Sequence, residues 1–354
     1  MQPNGRAIEH AATGDTIRFI RAAKPASVTL ECAMPHILLV KTSSLGDVIH
    51  NLPVVSDIRA NLPQARIDWV CETPYADLVA LHPGVRRALP VNLRHLRKNC
   101  FSSDVWREFF ANKRDIGREH YDLIIDTQGL AKSAWIATFA AGIRAGYDWS
   151  SAREPLASWF YQRTFNVATN QHAVMRNRQL AAQALGYKLT NAADYGLHQS
   201  TARFHWLGNL RYAVFLHATS RADKMWPEER WIALGRRLAA QDFHIVLPWG
   251  TEAEKRTSEG IAAKMPNAIV APRLVLREAA QMLGQAALVL GVDTGLAHLA
   301  VAIGTPTVGI YTATRTEFTG LHGGPHAVNL GGADKGPDVD SVWRTAQQMP
   351  GGPT

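Results

Sequence analysis

Residues 37–53, ILLVKTSSLGDVIHNLP, carry the pattern that decides the fold. Four apolar residues predict a buried strand, and the polar run that follows leads into an apolar-periodic stretch typical of a helix. A strand, a polar turn and a helix in succession form the start of a parallel α/β unit. Asp47 lies in this turn, where its carboxylate either caps the helix or belongs to a site.

The same alternation continues along the chain. Apolar runs bounded by turn residues predict further strands, namely RIDWVCE, YDLIID, YAVFLHA, HIVLPWG, AALVLGVD and TPTVGIY. Helical patterns such as PEERWIALGRRLAAQ and LREAAQMLGQA lie between them. Buried strands that alternate with helices predict parallel sheets covered by helices.

The pattern restarts after Arg211, so we expect two doubly wound α/β domains that face each other across a cleft. We place the first domain at residues 34–205 and the second at residues 206–335. Residues 1–33 show no sustained period and no signal-peptide core, which predicts a disordered extension ahead of a start at Met34, with a regulatory arm as the alternative. Residues 336–354 are expected to form a tail that is disordered or crosses back.

The composition is that of a globular protein with an anionic partner. The 354 residues are 46% hydrophobic and 19% charged, and 38 Lys and Arg against 30 Asp and Glu give a formal charge of +8. This excess favours a phosphorylated metabolite, a nucleic acid or an anionic membrane surface. Three scattered cysteines fit a reducing compartment, and no apolar run approaches the roughly 20 residues that span a bilayer.

Two turns of the second domain carry residues suited to a diphosphate or to a ribose. Thr219, Ser220 and Lys224 follow the strand YAVFLHA, and hydroxyls with a Lys suit a diphosphate, although an ordinary polar loop has the same composition. Glu252 and Glu254 follow the next strand, where either could accept hydrogen bonds from ribose hydroxyls. The alternative is that both are carboxylates favoured by the start of a helix.

A third turn, in VLGVDTGLAHLAVAIGTPTVGIY, is the most informative. Asp293 ends a strand, and Thr294 and Gly295 open a helix on whose first turn His298 lies. Gly295 allows the backbone to approach a phosphate, and the free N–H groups of a helix start attract an anion. The alternatives are an N-cap role for Asp293 and a packed histidine at 298. The triplet Asp-Thr-Gly also occurs in aspartic proteases, but it needs a β-rich context and a second copy.

Four motifs in order resemble the lipopolysaccharide heptosyltransferases, which form glycosyltransferase family 9. They are KTSSLGDVIHNLP, SAREPLASWFYQR, HATSRADKMWPEERW and GVDTGLAHLAVAIGTPTVGIY, and the resemblance covers about residues 34–330. It implies a GT-B fold and an inverting transfer of L-glycero-D-manno-heptose from ADP-heptose to the Kdo of Kdo-lipid A. It also implies a cytoplasmic enzyme, peripheral on the anionic inner membrane of a Gram-negative bacterium.

The resemblance assigns roles to individual residues. Asp47 matches the proposed catalytic base, which takes the proton of the acceptor hydroxyl. The donor site comprises Ser43, Ser44, Gly46, Thr219, Ser220, Lys224, Glu252, Glu254, Leu274, Asp293, Thr294, Gly295 and His298. The carboxylates and phosphates of the acceptor would bind Arg94, Arg97, Lys98, Arg153 and Arg176. Without the resemblance, these residues would be interpreted as a solvated face. No Asp-x-Asp pair lies in a donor loop, so we expect no cofactor and no protein-bound metal.

Other interpretations remain open at this point. A related enzyme that adds the next heptose shares these motifs, and a nucleotide-sugar epimerase can share the GT-B fold without needing a basic acceptor patch. A nucleic-acid partner is not expected, because the sequence contains no recognition module, and SSLGD lacks the glycine pattern of a Rossmann dehydrogenase. Trp106, Phe109 and Phe110 either belong to the core or rest at a membrane surface.

Overall fold

The computed structural model describes residues 34–93, 95, 99, 102–199, 202–219, 221–333 and 336–354. The expectations for residues 1–33, Arg94, Arg97, Lys98 and Ser220 lie outside the described residues.

Twelve strands form two six-stranded sheets, and every pairing between neighbouring strands is parallel. The strands of the first sheet are His36–Val40 (β1), Arg66–Glu72 (β2), Arg87–Val91 (β3), His120–Asp126 (β4), Ala141–Tyr147 (β5) and Arg163–Phe165 (β6). Those of the second are Tyr212–Leu216 (β7), His244–Leu247 (β8), Ala268–Val270 (β9), Leu288–Val292 (β10), Thr307–Tyr311 (β11) and Ala327–Gly331 (β12).

Helices connect these strands within each half. In the first half they are Leu45–Ile49 (α1), Leu52–Asn61 (α2), Ala76–Val79 (α3), Ser103–Ile116 (α4), Ala131–Ala137 (α5) and Ala173–Leu185 (α6). In the second half they are Glu228–Ala239 (α7), Glu252–Ala262 (α8), Leu276–Gln285 (α9), Gly295–Ile303 (α10), Thr316–Thr319 (α11) and Val339–Gln348 (α12). Short 3-10 helices span Thr73–Tyr75, Pro155–Phe160, Ala222–Lys224 and Gly324–His326.

Both sheets have the same doubly wound topology. The strand order is β3-β2-β1-β4-β5-β6 in the first sheet and β12-β11-β10-β7-β8-β9 in the second. The direction of winding therefore reverses between β1 and β4 and between β7 and β10. Ligands of such sheets bind at the carboxyl ends of the strands beside this switch point.

The expected α/β class with two doubly wound sheets is confirmed. All seven strands predicted from apolar runs are present, as β1, β2, β4, β7, β8, β10 and β11. The other five were not predicted because they are short, glycine-containing or half exposed. The edge strand β9, for example, has three residues and none of them is fully buried.

The two faces of the first sheet are covered differently. Ile37 and Leu39 of β1 point to α1, α2 and α6, whereas Leu38 and Val40 point to α4 and α5. The core on the α1 side continues into the second half, where Val214 and α10 belong to the same cluster of buried side chains. We call the opposite layer, which consists of α4, α5 and the 3-10 helix Pro155–Phe160, the outer layer.

The last residues of the chain belong to the second half. Helix α12 begins at an N-cap Asp338, packs against α7 and β11, and buries Val342 and Ala346. None of the helices among the described residues combines the length and apolar content that crossing a bilayer requires.

Candidate active site

Asp47 lies in the first turn of α1, just beyond the carboxyl end of β1. Ser44 is the N-cap residue of this helix, and both its backbone N–H and its hydroxyl donate to Asp47 Oδ2 at 3.0 Å. The alternative prediction that Asp47 itself is the N-cap is therefore wrong, because Asp47 occupies the third helical position and closes a capping box. These two bonds hold a partly buried carboxylate at the edge of the cleft.

Lys41 and Asp47 set the electrostatics at this end of the cleft. Burial lowers the pKa of the Lys41 ammonium, although the charge of Asp47 acts in the opposite direction. Burial acts to raise the pKa of the Asp47 carboxyl, but the charge of Lys41 and the hydrogen bonds from Ser44 outweigh it, and the pKa lies below its usual value. Asp47 is therefore ionised at neutral pH, as a general base must be.

A cavity of about 180 Å³ opens beside Asp47, lined mostly by residues of the first half together with Phe318 and Thr319 of the second. Two of the predicted acceptor residues, Arg153 and Arg176, line it. Arg153 is 64% exposed, and its Nη1 lies 3.8 Å from Asp47 Oδ2. The guanidinium of Arg176 lies 5.1 Å from the centroid of the Tyr147 ring, a cation–π contact that holds it at the wall. The cavity therefore combines one carboxylate with two guanidinium groups.

The floor of this cavity is polar and fully buried. Lys41 Nζ donates to the Thr127 carbonyl at 2.9 Å and contacts Asn177 Oδ1 at 3.4 Å. The same amide oxygen accepts a hydrogen bond from the Tyr147 hydroxyl at 3.2 Å. These bonds join the ends of β1, β4 and β5 to α6 beneath the cavity.

On the second half, Asp293 is the centre of a polar cradle. Its Oδ2 accepts hydrogen bonds from Lys224 Nζ at 2.7 Å and from the Thr314 hydroxyl at 2.6 Å, and its carbonyl accepts one from the Thr219 hydroxyl at 3.2 Å. Burial acts to raise the pKa of the Asp293 carboxyl, but His298, Lys224 and Thr314 hold it well below its usual range. Thr294, and not Asp293, is the N-cap residue of α10, so the N-cap alternative for Asp293 is wrong.

The starts of α1 and α10 pack against each other across the cleft. A Cβ at Gly295 would lie 2.6–2.8 Å from three side-chain carbons of Leu45, and one at Gly46 would lie 3.4 Å from His298 Cδ2. In this structure the absence of a side chain at Gly295 therefore makes room for Leu45. His298 is buried, and its Nδ1 lies 3.2 Å from His50 Nε2. His298 is therefore a packed histidine, as the alternative prediction stated.

A second cavity, of about 540 Å³, lies between the two halves. It is within the range of about 300–1,000 Å³ that small-molecule sites occupy. Ten of the predicted site residues line it, namely Ser44, Gly46, Asp47, Arg153, Thr219, Lys224, Asp293, Thr294, Gly295 and His298. Asp47, Arg153 and Thr319 line both cavities, so the Asp47 carboxylate lies where the two cavities meet.

Other predicted donor residues lie outside this wall. Ser43 is buried behind it, 3.5 Å from Lys132 Nζ, and Leu274 packs against the core shared by the two halves. Glu254 accepts hydrogen bonds from the N–H groups of Gly250 and Thr251 as part of the cap of α8, while Glu252 is the exposed first residue of that helix. In this structure both glutamates therefore lie at the start of a helix, which was the alternative to binding ribose.

Sequence reasoning missed several polar residues of the site, among them Lys41, Asn177 and His50. Lys41 was overlooked although it directly follows β1, which is the position that the strand-end rule favours. Asn177 and His50 carry no such signal. Asn177 lies in the middle of α6, and His50 is buried beside His298 through a contact between segments 248 positions apart.

Among the described residues, one group of His, Asp and Glu side chains is compact enough to hold a metal ion. It consists of His36, Asp68 and Glu119, at the opposite ends of the strands from the cleft. Arg86 donates to Asp68 at 2.6 Å and to Glu119 at 2.8 Å, so a guanidinium already pairs with both carboxylates.

Two facing doubly wound sheets, with polar residues at both switch points, define an α/β protein of the GT-B glycosyltransferase class. The model of glycosyltransferase family 9 (heptosyltransferase) matches residues 109–344. The chain belongs to this family of enzymes.

Individual relatives agree with this assignment. The chain is 45% identical over 292 residues to a lipopolysaccharide heptosyltransferase 1 of Pseudomonas aeruginosa, covering 81% of each protein. It is 42% identical to the protein of that name from Escherichia coli K12, over 81% of this chain and 91% of the relative. The solved structure of E. coli heptosyltransferase WaaC with ADP matches at 38% identity and a TM-score of 0.81, over 88% of this chain and 99% of that one.

Proposed function

We propose that this heptosyltransferase moves L-glycero-D-manno-heptose from ADP-heptose to the Kdo of Kdo-lipid A in the inner core of lipopolysaccharide, with inversion at the anomeric carbon. The observation that carries the proposal is the position of Asp47, which lies where the cavity between the two halves meets the cavity lined by Arg153 and Arg176. A base at that junction can reach an acceptor hydroxyl that faces the donor sugar.

The donor occupies the larger cavity in this proposal. Its diphosphate lies against Lys224, Thr219 and the N–H groups at the start of α10, which also line that cavity. Lys224 bonds Asp293 in this structure, and Asp293 keeps that ammonium pointing into the cradle. As ADP leaves, these donors stabilise the charge that develops on its terminal phosphate.

The reaction is a single displacement. The Kdo hydroxyl attacks the anomeric carbon on the face opposite the diphosphate, the new C–O bond forms as the bond to ADP breaks, and the hydroxyl proton passes to Asp47. The lowered pKa of Asp47 keeps the carboxylate ionised before the reaction. The proton moves late, when the attacking oxygen has become strongly acidic.

The acceptor side is proposed to bind negatively charged groups. Arg153 and Arg176, which line the cavity beside Asp47, would pair with the Kdo carboxylate and with phosphates of lipid A, since a guanidinium binds either group through two parallel hydrogen bonds. Arg94, Arg97 and Lys98 are assigned to the same acceptor, on the resemblance alone. We further propose that the enzyme works in the cytoplasm, peripheral on the anionic inner membrane, and needs neither a cofactor nor a protein-bound metal.

The direct test incubates the protein with ADP-heptose and Kdo-lipid A and measures the product by mass spectrometry. We expect a product heavier by one heptose, formed equally well with and without EDTA. A parallel reaction supplies an acceptor that already carries the first heptose, and another supplies the donor alone. Transfer only to the pre-extended acceptor would identify the enzyme that adds the next heptose, and an altered donor without acceptor would identify an epimerase.

A further inference from the structure

We propose that the outer layer of the first half is the face by which this protein docks on an anionic lipid bilayer. The proposal rests on the proposed function, because it supplies the surface that brings a lipid-anchored acceptor to the cavity beside Asp47. It begins from the tryptophans. Of the ten in the chain, four have exposed side chains, namely Trp106, Trp135, Trp149 and Trp159, and all four belong to the outer layer or to the loop beside it.

These side chains form two exposed aromatic groups. On α4, Val105 and Phe109 are buried, whereas the next residues along the helix, Trp106 and Phe110, are exposed. Trp135 of α5 stacks on Phe109 with ring centroids 5.8 Å apart, which joins the two helices into one surface.

The second group is formed by the 3-10 helix Pro155–Phe160 and the loop before it. Ala157 is buried, so the neighbouring Leu156 and Trp159 point outward, and Trp159 is 75% exposed. Trp149 stacks on Trp159 with centroids 5.7 Å apart. The 3-10 helix packs on α5, so both groups belong to the same layer.

The charge of the neighbouring chain favours an anionic partner over a neutral one. In the sequence, residues 92–118, which contain α4 and the segment before it, carry seven Lys and Arg against three Asp and Glu. Three of these cations, Arg94, Arg97 and Lys98, lie outside the described residues. This short segment therefore supplies half of the +8 charge of the whole protein. Tryptophan and phenylalanine beside cations are the residues that seat a peripheral protein in the headgroup region of an anionic membrane.

The position of the layer relative to the site fits this partner. Arg153, at the mouth of the acceptor cavity, lies two positions before the 3-10 helix that carries Leu156 and Trp159. A bilayer on this face would present the headgroup of an embedded acceptor at Arg153 while its acyl chains stay in the lipid. Bilayer contact at the outer layer also leaves the cavity between the two halves open to a soluble donor.

The test uses the full chain and sedimentation with vesicles of phosphatidylglycerol and phosphatidylethanolamine, or of phosphatidylcholine alone. Phe110→Ser/Trp159→Ser removes one exposed side chain from each aromatic group. Met225→Ser/Val275→Ser is the matched control, because those two apolar side chains are similarly exposed but lie in the second half. The melting temperature and the gel-filtration volume of each variant are measured alongside.

We expect the wild type to bind the anionic vesicles, the Phe110/Trp159 variant to bind at least about tenfold more weakly with an unchanged melting temperature, and the control to bind like the wild type. Absence of binding by the wild type, equal binding by the two variants, or conversion of a dimer to a monomer by Phe110→Ser/Trp159→Ser would overturn the proposal. The last result would mean that a second copy of the chain covers this face.

Heptose transfer to an acyl-free Kdo acceptor in solution separates this proposal from the function on which it rests. The Phe110/Trp159 variant should keep wild-type turnover on that soluble acceptor and lose turnover only on the acceptor embedded in vesicles. If the wild type transfers heptose to neither acceptor, the proposed function is wrong. The vesicle sedimentation would then be the measurement that tests the docking face.

Discussion

A single oxygen of Asp47 makes the contacts that hold it. The two hydrogen bonds from Ser44 and the contact with Arg153 all go to Oδ2, and no group within the described part of the chain donates to Oδ1. One oxygen therefore positions the carboxylate, and the other can accept a proton. This division allows the structural and the catalytic role of the same residue to be tested separately.

Asp47→Asn should abolish most of the activity and leave the fold intact. The amide oxygen of Asn can still accept both Ser44 hydrogen bonds, but an amide cannot serve as a general base. We expect an unchanged melting temperature, near-normal ADP binding and turnover lower by roughly 10²–10⁴-fold. Asp77→Asn, an exposed residue in the first turn of α3, is the matched control and should change neither quantity. Near-normal turnover in Asp47→Asn would refute the catalytic role.

Lys224→Ala should weaken donor binding and slightly destabilise the protein. The substitution removes a charge-assisted contact to the diphosphate, which should cost about 1.5–3 kcal/mol of ADP binding in a calorimetric titration. It also leaves the Asp293 carboxylate without its 2.7 Å partner, so the melting temperature should fall. Exposed Lys264 offers the control, since its removal should affect neither measurement. Unchanged ADP affinity in Lys224→Ala would remove this residue from the donor site.

At the scale of elements, the contact between α1 and α10 determines how closely the two halves approach. Gly295→Ala would place a methyl group within 3 Å of Leu45, so we expect the helix starts to separate and turnover to fall by about tenfold or more. Leu45→Ala should rescue much of that loss in the double variant, because it removes the side chain that clashes. A Gly295→Ala defect that Leu45→Ala does not relieve would show that the glycine serves the donor phosphate instead.

His172 connects the start of α6 to the second half of the chain. Its Nδ1 accepts the N–H of Val174 at 3.2 Å and its Nε2 lies 3.0 Å from the Gly320 carbonyl, so the neutral ring with the proton on Nε2 satisfies both bonds. Burial lowers the pKa of His172 from 6.5 to about 4. The unfolded chain therefore binds more protons than the folded one between these two pH values, and this histidine makes the protein less stable as the pH falls from 6.5 towards 4.

His172→Asn should flatten this part of the stability profile. Asn can still cap α6 but does not titrate, so the variant should lose less stability than the wild type between pH 7 and pH 4.5, by at most about 3 kcal/mol. Denaturant unfolding at a series of pH values measures the difference. His205→Asn, at an exposed position, serves as the control and should follow the wild-type profile. Parallel profiles for His172→Asn and the wild type would contradict the assignment.

At the scale of the whole molecule, the sequence predicted the central strands better than the edges. Strands β1 and β10 are apolar runs buried on both faces, and such runs can be recognised without any knowledge of the partner strands. Strand β3 contains Pro90 and β5 contains two glycines, so their pairing depends on neighbours distant in sequence. Edges of a sheet carry little local signal.

The site was predictable to the extent that it follows the strand ends. Asp47, Lys224 and Asp293 were found because each stands in a turn after a central strand, and these turns meet in space at the two switch points. The packing of Leu45 into the space at Gly295 could not be predicted, since it depends on how the two halves face each other. Such contacts join residues about 250 positions apart, and no local pattern encodes them.

The core that runs through both halves has a calorimetric consequence. Proteins of this length with two sheets often melt in separate steps, one for each domain. Here the side chains of β1, α2 and α6 belong to the same buried cluster as those of β7, α9 and α10, so neither half can melt without exposing apolar surface of the other. A heating scan should therefore show one endotherm whose calorimetric and van't Hoff enthalpies agree. Two resolved endotherms would mean that the halves are energetically independent.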